Sequence, residues 1–301
     1  MKKLQRLMSR INKPSAAAYF FLLPSLVIFS LFILVPLVSS LGVSLFNLNI
    51  FLTKIEFVGL GNFRRLLADE RFWNAMKNTL HFTGVQMPIQ VVVGLVLAAY
   101  VSRNTWWRKL LRSVFFVPAV CSMTALAIVW SLLLDPVIGI IPYLLSILGI
   151  YGVEFLKDPA LAMPSIILMT VWKNFGFTMV ILVAGVQAIP GVYYEAAEID
   201  GAGKIRQFFH VTVPLLLPTL GFCIITNTIG SFQVFDQVFV MTQGGPLYKT
   251  ETVVQYIYNR GFHIAPYELG YASTVAVALF LVIAVTAFAI NSFFLRREAE
   301  F

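Results

Sequence analysis

Hydrophobic positions in this chain fall in six long blocks separated by polar stretches. Residues 14 to 53 contain no Asp, Glu, Lys or Arg. The apolar part of that stretch, residues 18–45, exceeds the ~20 residues that a helix needs to cross a bilayer. It is too long for the apolar core of a signal peptide and has no small-residue cleavage site, so an uncleaved first helix is expected. Five more blocks of sufficient length follow at 80–101, 113–134, 163–186, 214–235 and 271–295. The pattern predicts six transmembrane helices. Residues 1–17 and 296–301 are then short ends flanking one membrane domain, 18–295, with no internal repeat or linker. Pro24, Pro36, Pro88, Pro118 and Pro218 lie inside the blocks; a membrane bundle tolerates them where neighbouring groups satisfy the freed carbonyls.

Composition changes the picture only by excluding alternatives. Of 301 residues, 59% are hydrophobic and 12% charged, with a mean hydropathy of +0.84. Soluble domains run at about 25% charged residues. There is too little polar surface here to clothe a soluble ball, which excludes a cytosolic enzyme, a secreted disulfide scaffold and a disordered chain. The net charge of +8 would suggest nucleic acid in a soluble protein. In a membrane protein it reflects basic residues gathered on the cytoplasmic side, so no nucleic-acid partner is expected. An even number of spans puts both termini on one side. That side, with loops 102–112 and 187–213, carries thirteen basic and five acidic residues; the other carries eight basic and nine acidic. The sequence thus predicts an all-α integral membrane protein with cytoplasmic termini, embedded in lipid.

Catalytic chemistry is hard to find. His81, His210 and His263 fall near three different membrane boundaries, and no His/Cys/Asp/Glu cluster has metal spacing. Cys121 and Cys223 sit in apolar runs and read as small buried hydrophobes. Asp135 and Asp236 lie at span ends and read as solvated loop boundaries. Gly201-Ala-Gly-Lys204 lacks the earlier glycine and the following Ser or Thr of a phosphate loop, since Glu198 and Ile205 hold those places. Neither catalytic residues nor a cofactor are expected in this chain; if ATP drives the protein, another chain hydrolyses it.

The longest loop of the basic side, 187–213, is the most informative. Pro190 can open a helix. Tyr193, Ala196 and Ala197 share one apolar face, with Glu195 and Glu198 beside it. Gly201 and Gly203 allow a sharp turn. A second segment, 204–213, puts Ile205, Phe208 and Phe209 on another apolar stripe. Two short amphipathic helices at a glycine elbow suit docking into a groove of a partner. A lipid-lying helix would favour basic residues, but the loop holds Glu195, Glu198 and Asp200 against Lys204 and Arg206.

Glu195-Ala196-Ala197, three residues, Gly201, nine residues, Val211, one residue, Val213 and Pro214 resembles the signature loop of permease subunits of binding-protein-dependent ABC importers. The two valines replace the usual Ile and Leu. Further pieces are similar to the sugar-type branch, which includes the maltose and glycerol-3-phosphate permeases: Phe57-Val-Gly-Leu-Gly-Asn-Phe63, Phe72-Trp-Asn-Ala75 with Asn78-Thr-Leu80, Trp172-Lys-Asn-Phe-Gly176, and Gly244-Gly-Pro246. The resemblance implies a type I importer permease fold in the inner membrane. It also implies a homologous second permease, a cytoplasmic ATPase dimer that holds ATP and Mg²⁺, an external solute-binding protein and a carbohydrate cargo. Tyr194, Glu195, Ala196, Ala197, Asp200, Gly201, Ala202, Phe208 and Pro214 would form the coupling loop. A rigid knob of this kind can transmit a rigid-body movement.

Polar groups inside spans are expensive and often functional. Asn227 and Ser231 are four apart, one above the other on one helix face, with Gly230 beside them. Asn and Ser can donate to and accept from a hydroxyl-rich ligand, and the resemblance places this stretch on the sugar path. Helix–helix hydrogen bonding is the structural alternative. Lys173 and Asn174 lie near the middle of the fourth block. An unpaired lysine there costs roughly 2.5–3.5 kcal/mol, so it should face a cavity or a carboxylate. It could invite an anionic cargo such as glycerol 3-phosphate. A secondary transporter would need several embedded ionisable groups and a repeated pair of broken helices; Lys173 is the one such group here.

Overall fold

The computed structural model describes residues 14–52, 55–102 and 104–298. Its elements in chain order are α1 (Pro14–Phe29), α2 (Val35–Val43), the strands β1 (Phe46–Leu48) and β2 (Ile55–Phe57), α3 (Gly61–Leu67), α4 (Glu70–Val101), α5 (Trp106–Val120), α6 (Met123–Leu133) and α7 (Ile140–Ile147). There follow α8 (Ala162–Ala188), α9 (Val192–Ile199), α10 (Lys204–Gln207), α11 (Val213–Leu215), α12 (Leu217–Phe232), α13 (Asp236–Met241), α14 (Val253–Tyr258) and α15 (Leu269–Glu298). Four continuous helical stretches are long and apolar enough to span a membrane: Phe21–Val43, Glu70–Val101, Ala162–Ala188 and Leu269–Leu295. The count is six if each of two bent pairs is one span, α5 with α6 at 96° and Lys204–Leu215 with α12 at 70°.

The third block is therefore broken where the sequence suggested one helix. Val120 ends α5, Cys121 is extended (φ −71°, ψ 152°), and α6 restarts at Met123. Pro118 lies just before the break, where its missing N–H weakens the last turn. Cys121 sits in this break and is exposed, against the expectation of a buried hydrophobe, whereas Cys223 is buried as expected. The second span begins ten residues before its apolar block. Asp69 caps it, Oδ1 accepting from the backbone N–H of Arg71 at 3.0 Å and of Phe72 at 3.3 Å.

The chain forms two compact units. One combines residues up to Leu67 with Arg260–Val277. Here the polar stretch after the first span holds a small antiparallel ribbon, a departure from the all-α expectation, with Phe46 opposite Phe57 and Leu48 opposite Ile55. Asn62 fastens it, donating through Nδ2 to the carbonyls of Ser44 and Phe46, both at 3.0 Å. Gly270 lies against the Phe46 carbonyl, where a Cβ would stand only 2.0 Å from the oxygen. Arg65 donates to Glu268 at 2.8 Å and lies over the Tyr271 ring.

The other unit holds Ala68–Asn259 and the chain from Ala278. Helix α8 is its axis, packed by α4, α5 and α12, and 61% of its apolar window is buried. Phe82, Ile166, Met169 and Val238 form one apolar cluster; Val91, Met179, Leu182 and Leu216 form another. Small residues set the closest approaches. At Gly176 on α8 an added Cβ would lie 2.0 Å from the Phe115 carbonyl oxygen of α5. Backbone cannot yield as a flexible side chain does, so Gly176→Ala should destabilise the fold by at least the ~1–3 kcal/mol typical of overpacking. Thermal unfolding in detergent is the check, and an unchanged Tm would show that these helices are not in such close contact.

Candidate functional site

Two features of the larger unit stand out, a polar cavity within the helices and the 187–213 loop. The cavity is about 480 Å³. Helices α4, α8 and α12 supply much of its wall, with the ends of α5 and α6 and the segment around α13. Asn174, Asn227, Gly230 and Ser231 all line it. The structure thus gathers four of the five candidate path residues around one space.

Lys173, the fifth, does not line it. Its side chain is buried, and its ammonium donates to the Ala119 carbonyl at 3.3 Å and to Asn174 Oδ1 at 3.4 Å. The expected cavity or carboxylate is replaced by a backbone oxygen and the amide oxygen of the neighbouring Asn174. The physical reason lies in the break after Val120: the last carbonyls of α5 lack intrahelical donors, and a cation at a helix C-terminus is favourable.

Gln86 and Gln90 of α4 also line the cavity and were not singled out from the sequence. Their spacing of four in an apolar block is the same signal that marked Asn227 and Ser231. Gln90 Nε2 donates to Thr178 Oγ1 at 3.0 Å and to Asn227 Oδ1. Gln86 Nε2 donates to Gln90 Oε1. Asn227 Nδ2 donates to the Cys223 carbonyl at 2.8 Å. Ser231 bonds within its own helix, to the Thr228 carbonyl at 3.0 Å. Across the cavity, Gln237 donates to Thr170 Oγ1 at 3.2 Å. Asp236 is the sole charged side chain on the wall among the described residues; it is exposed at the start of α13, as a solvated boundary residue should be. Asp135 stands apart, its carboxylate held below the usual range by the backbone N–H groups of Ile138 and Val137.

The loop folds as two helical pieces. Gly201 has φ +75°, in the left-handed region. The N–H of Gly201 bonds to the Glu198 carbonyl at 3.0 Å and that of Ala202 to the Ala197 carbonyl at 2.8 Å. These two bonds form a Schellman end, which favours a glycine at this place. The second piece is α-helical for one turn, α10, then widens to a π-helical turn over Phe208–Thr212 that runs into Pro214. Gln207 ties the elbow by donating to the Ala202 carbonyl at 2.9 Å, and the Tyr194 and Thr212 hydroxyls are 3.0 Å apart. Glu195, Ala196 and Asp200 are exposed, while Tyr194, Ala197, Ala202 and Phe208 are half-buried.

A helical bundle of bilayer-length segments around a polar cavity, with a braced loop beside it, defines a membrane transport permease. Residues 90–299 match the family described as binding-protein-dependent transport system inner membrane component, and the chain belongs to it. It is 36% identical over 287 residues to the lactose transport system permease protein LacF of Rhizobium radiobacter, covering 94% of each chain. It is 32% identical over 265 residues to the trehalose/maltose transport system permease protein MalF of Thermococcus litoralis, covering 88% of this chain and 89% of that one. It is 33% identical over 266 residues to the sn-glycerol-3-phosphate transport system permease protein UgpA of Yersinia pestis, with coverage of 88% and 89%. Among solved structures it is similar to a chain of a bacterial ABC transporter involved in the import of the acidic polysaccharide alginate. That match has a TM-score of 0.82 and 25% identity, and covers 97% of this chain and 99% of the other. This protein is therefore a multi-pass inner-membrane permease subunit of an ABC importer, a transport component rather than an enzyme, and ATP belongs to its partner ATPase.

Proposed function

We propose that the chain imports carbohydrate. It would form half of the translocation path by alternating access, beside a homologous permease, and receive cargo from an external solute-binding protein. The observation that carries this reading is the cavity wall: amides and hydroxyls with one acid and, among the described residues, no cation. Neutral donors and acceptors match a hydroxyl-rich ligand. The sugars in the names of LacF and MalF point to the same class.

Drive would enter through the 187–213 loop. Val192, Tyr193, Ile199, Ile205 and Phe209 are exposed there, on a backbone braced at Gly201. Apolar side chains held outward in this way mark a docking surface. Glu195, Glu198 and Asp200 make an anionic lipid surface a poor match, and a groove in a cytoplasmic ATPase dimer a good one. Both termini would then be cytoplasmic, a reading supported by the loop charges, with residues 18–295 as the transmembrane domain between ends 1–17 and 296–301. Tyr194, Glu195, Ala196, Ala197, Asp200, Gly201, Ala202, Phe208 and Pro214 would be the coupling segment.

A charged polyol is the second reading, favoured by the similarity to UgpA. The placement of Lys173 outside the cavity wall weighs against it. Ligand-stimulated ATP hydrolysis by the purified assembly decides, with lactose, maltose, trehalose and glycerol 3-phosphate offered in turn. A neutral sugar should stimulate and glycerol 3-phosphate should not; the reverse would sink the carbohydrate reading. Asn227→Leu should cut the sugar response about tenfold, the equivalent of one hydrogen bond of roughly 1.4 kcal/mol, while the ATPase still co-purifies. An unchanged response would return Asn227 to helix packing.

A further inference from the structure

The carbonyl oxygen of Cys223 can only accept a hydrogen bond. Asn227 Nδ2 donates to it at 2.8 Å, which leaves the Asn227 oxygen free to accept elsewhere. Gln90 Nε2 fills that oxygen and also donates to Thr178 Oγ1 at 3.0 Å. Gln90 therefore offers its own oxygen to Gln86, whose Nε2 donates to it. The end of the row is Gln86 Oε1, which has no hydrogen-bond partner among the described residues. Reversing any single amide would set two NH₂ groups or two oxygens face to face. One backbone carbonyl thus fixes the direction of three side-chain amides in two helices. Gln86 is 3% exposed and Gln90 2%, and both line the cavity.

Building on the carbohydrate reading, we infer that Gln86 selects the cargo, by offering an acceptor to a sugar hydroxyl, and that Gln90 is the residue that positions it. A buried amide oxygen with no donor is costly, and a ligand O–H removes that cost. A phosphate or carboxylate group brings ionised oxygens that this atom repels, and Asp236 on the same wall repels them too. The row therefore sorts neutral polyols from anionic ones with no cation involved. Gln86 Oε1 is sealed from solvent in this conformation, so the proposal requires a second conformation in which the cavity reaches it. The hydrogen bond then belongs to one state of the transport cycle, and such a differential contact is what allows a ligand to shift a conformational equilibrium.

The test uses the complete importer in lipid nanodiscs: both permeases, the ATPase and the binding protein. The neutral probe is an equimolar mixture of lactose, maltose and trehalose; the anionic probe is glycerol 3-phosphate. The readout is stimulation of ATP hydrolysis by each. Gln86→Met keeps the side-chain length and removes the acceptor, and should cut neutral stimulation about tenfold or more. Gln90→Met leaves Gln86 in place but frees its amide to turn. It should narrow the ratio of neutral to anionic response severalfold, an effect that simple loss of packing would not produce. Co-purification with the ATPase shows that each variant assembles; if one does not, the other carries the test. Wild-type neutral stimulation in Gln86→Met, or an unaltered ratio in Gln90→Met, overturns the role of the row while leaving the carbohydrate reading intact. A wild-type assembly that answers to glycerol 3-phosphate, or to neither probe, overturns that reading and the role of Gln86 with it.

Discussion

Glu195→Lys is expected to abolish uptake in proteoliposomes and to remove the ATPase from the purified complex, with the bundle still folded. Glu195 is exposed on the first turn of α9, and its side chain has no hydrogen bond or ion pair among the described residues. Reversing its charge at a helix N-terminus costs only about 0.3–1 kcal/mol through the helix dipole. That is too little to unfold the protein, so a complete loss of transport would have to come from a failed contact with another chain. Gly201→Asp should have the same outcome by another route. The residue at φ +75° closes the Schellman end; an L side chain in the left-handed region costs up to roughly 1–2 kcal/mol, less for Asp than for most, and Asp adds a charge at the elbow. The elbow would then re-aim α10 and the exposed Ile205 and Phe209. Uptake and a complex at wild-type levels in both variants would end the proposal that this loop receives the drive.

The second large effect lies on the opposite end of α4. Glu251 is almost wholly buried, its side chain 1% exposed. Arg71 grips it with two bonds, Nε at 2.8 Å and an Nη at 2.7 Å, and Asn259 donates to it at 2.8 Å. Arg71→Ala would strand a carboxylate out of water, at a cost of about 3–5 kcal/mol. Arg71→Lys, with one ammonium for a planar fork, should fall between. Replacing both partners with Met should recover much of the loss, since desolvation of the pair is then avoided. Thermal unfolding of the solubilised protein ranks the four. Should Arg71→Ala melt with the wild type, the pair contributes nothing. Further bonds join the start of α4 to the same 248–251 stretch. Asn74 and Asn78 both donate to the Tyr248 carbonyl, at 2.9 and 2.8 Å, and Asn78 donates to that of Glu251 at 2.9 Å.

Most of the helical inventory was legible because a bilayer imposes length, and length survives without knowledge of neighbours. The blocks at 80–101, 163–186 and 271–295 fall inside α4, α8 and α15. The block at 113–134 could not reveal its break. Pro118 marks a weak turn, but prolines also sit inside α1 and α4, which continue through Pro24 and Pro88. What accompanies the 96° bend at Cys121 is tertiary: Lys173 on the Ala119 carbonyl and Gly176 against Phe115. The same holds for Lys173 itself, whose charge was visible and whose partner was not, because a backbone carbonyl leaves no trace in composition. The residues of the cavity were half legible. Asn227 and Ser231 stood out by their spacing; Gln86 and Gln90 carried the same spacing in another block. The direction of the amide row was beyond reach, since it depends on α4, α8 and α12 meeting.

The approach at Gly176 has a mechanical corollary. With no side chain between α8 and the Phe115 carbonyl at Gly176, and with the Lys173 ammonium on Ala119 one turn further on, α5 and α8 are pinned to each other at two successive turns. If the permease works by alternating access, α5 and α8 are expected to move together at this contact, with the corner at Cys121 and Ser122 as the nearest joint.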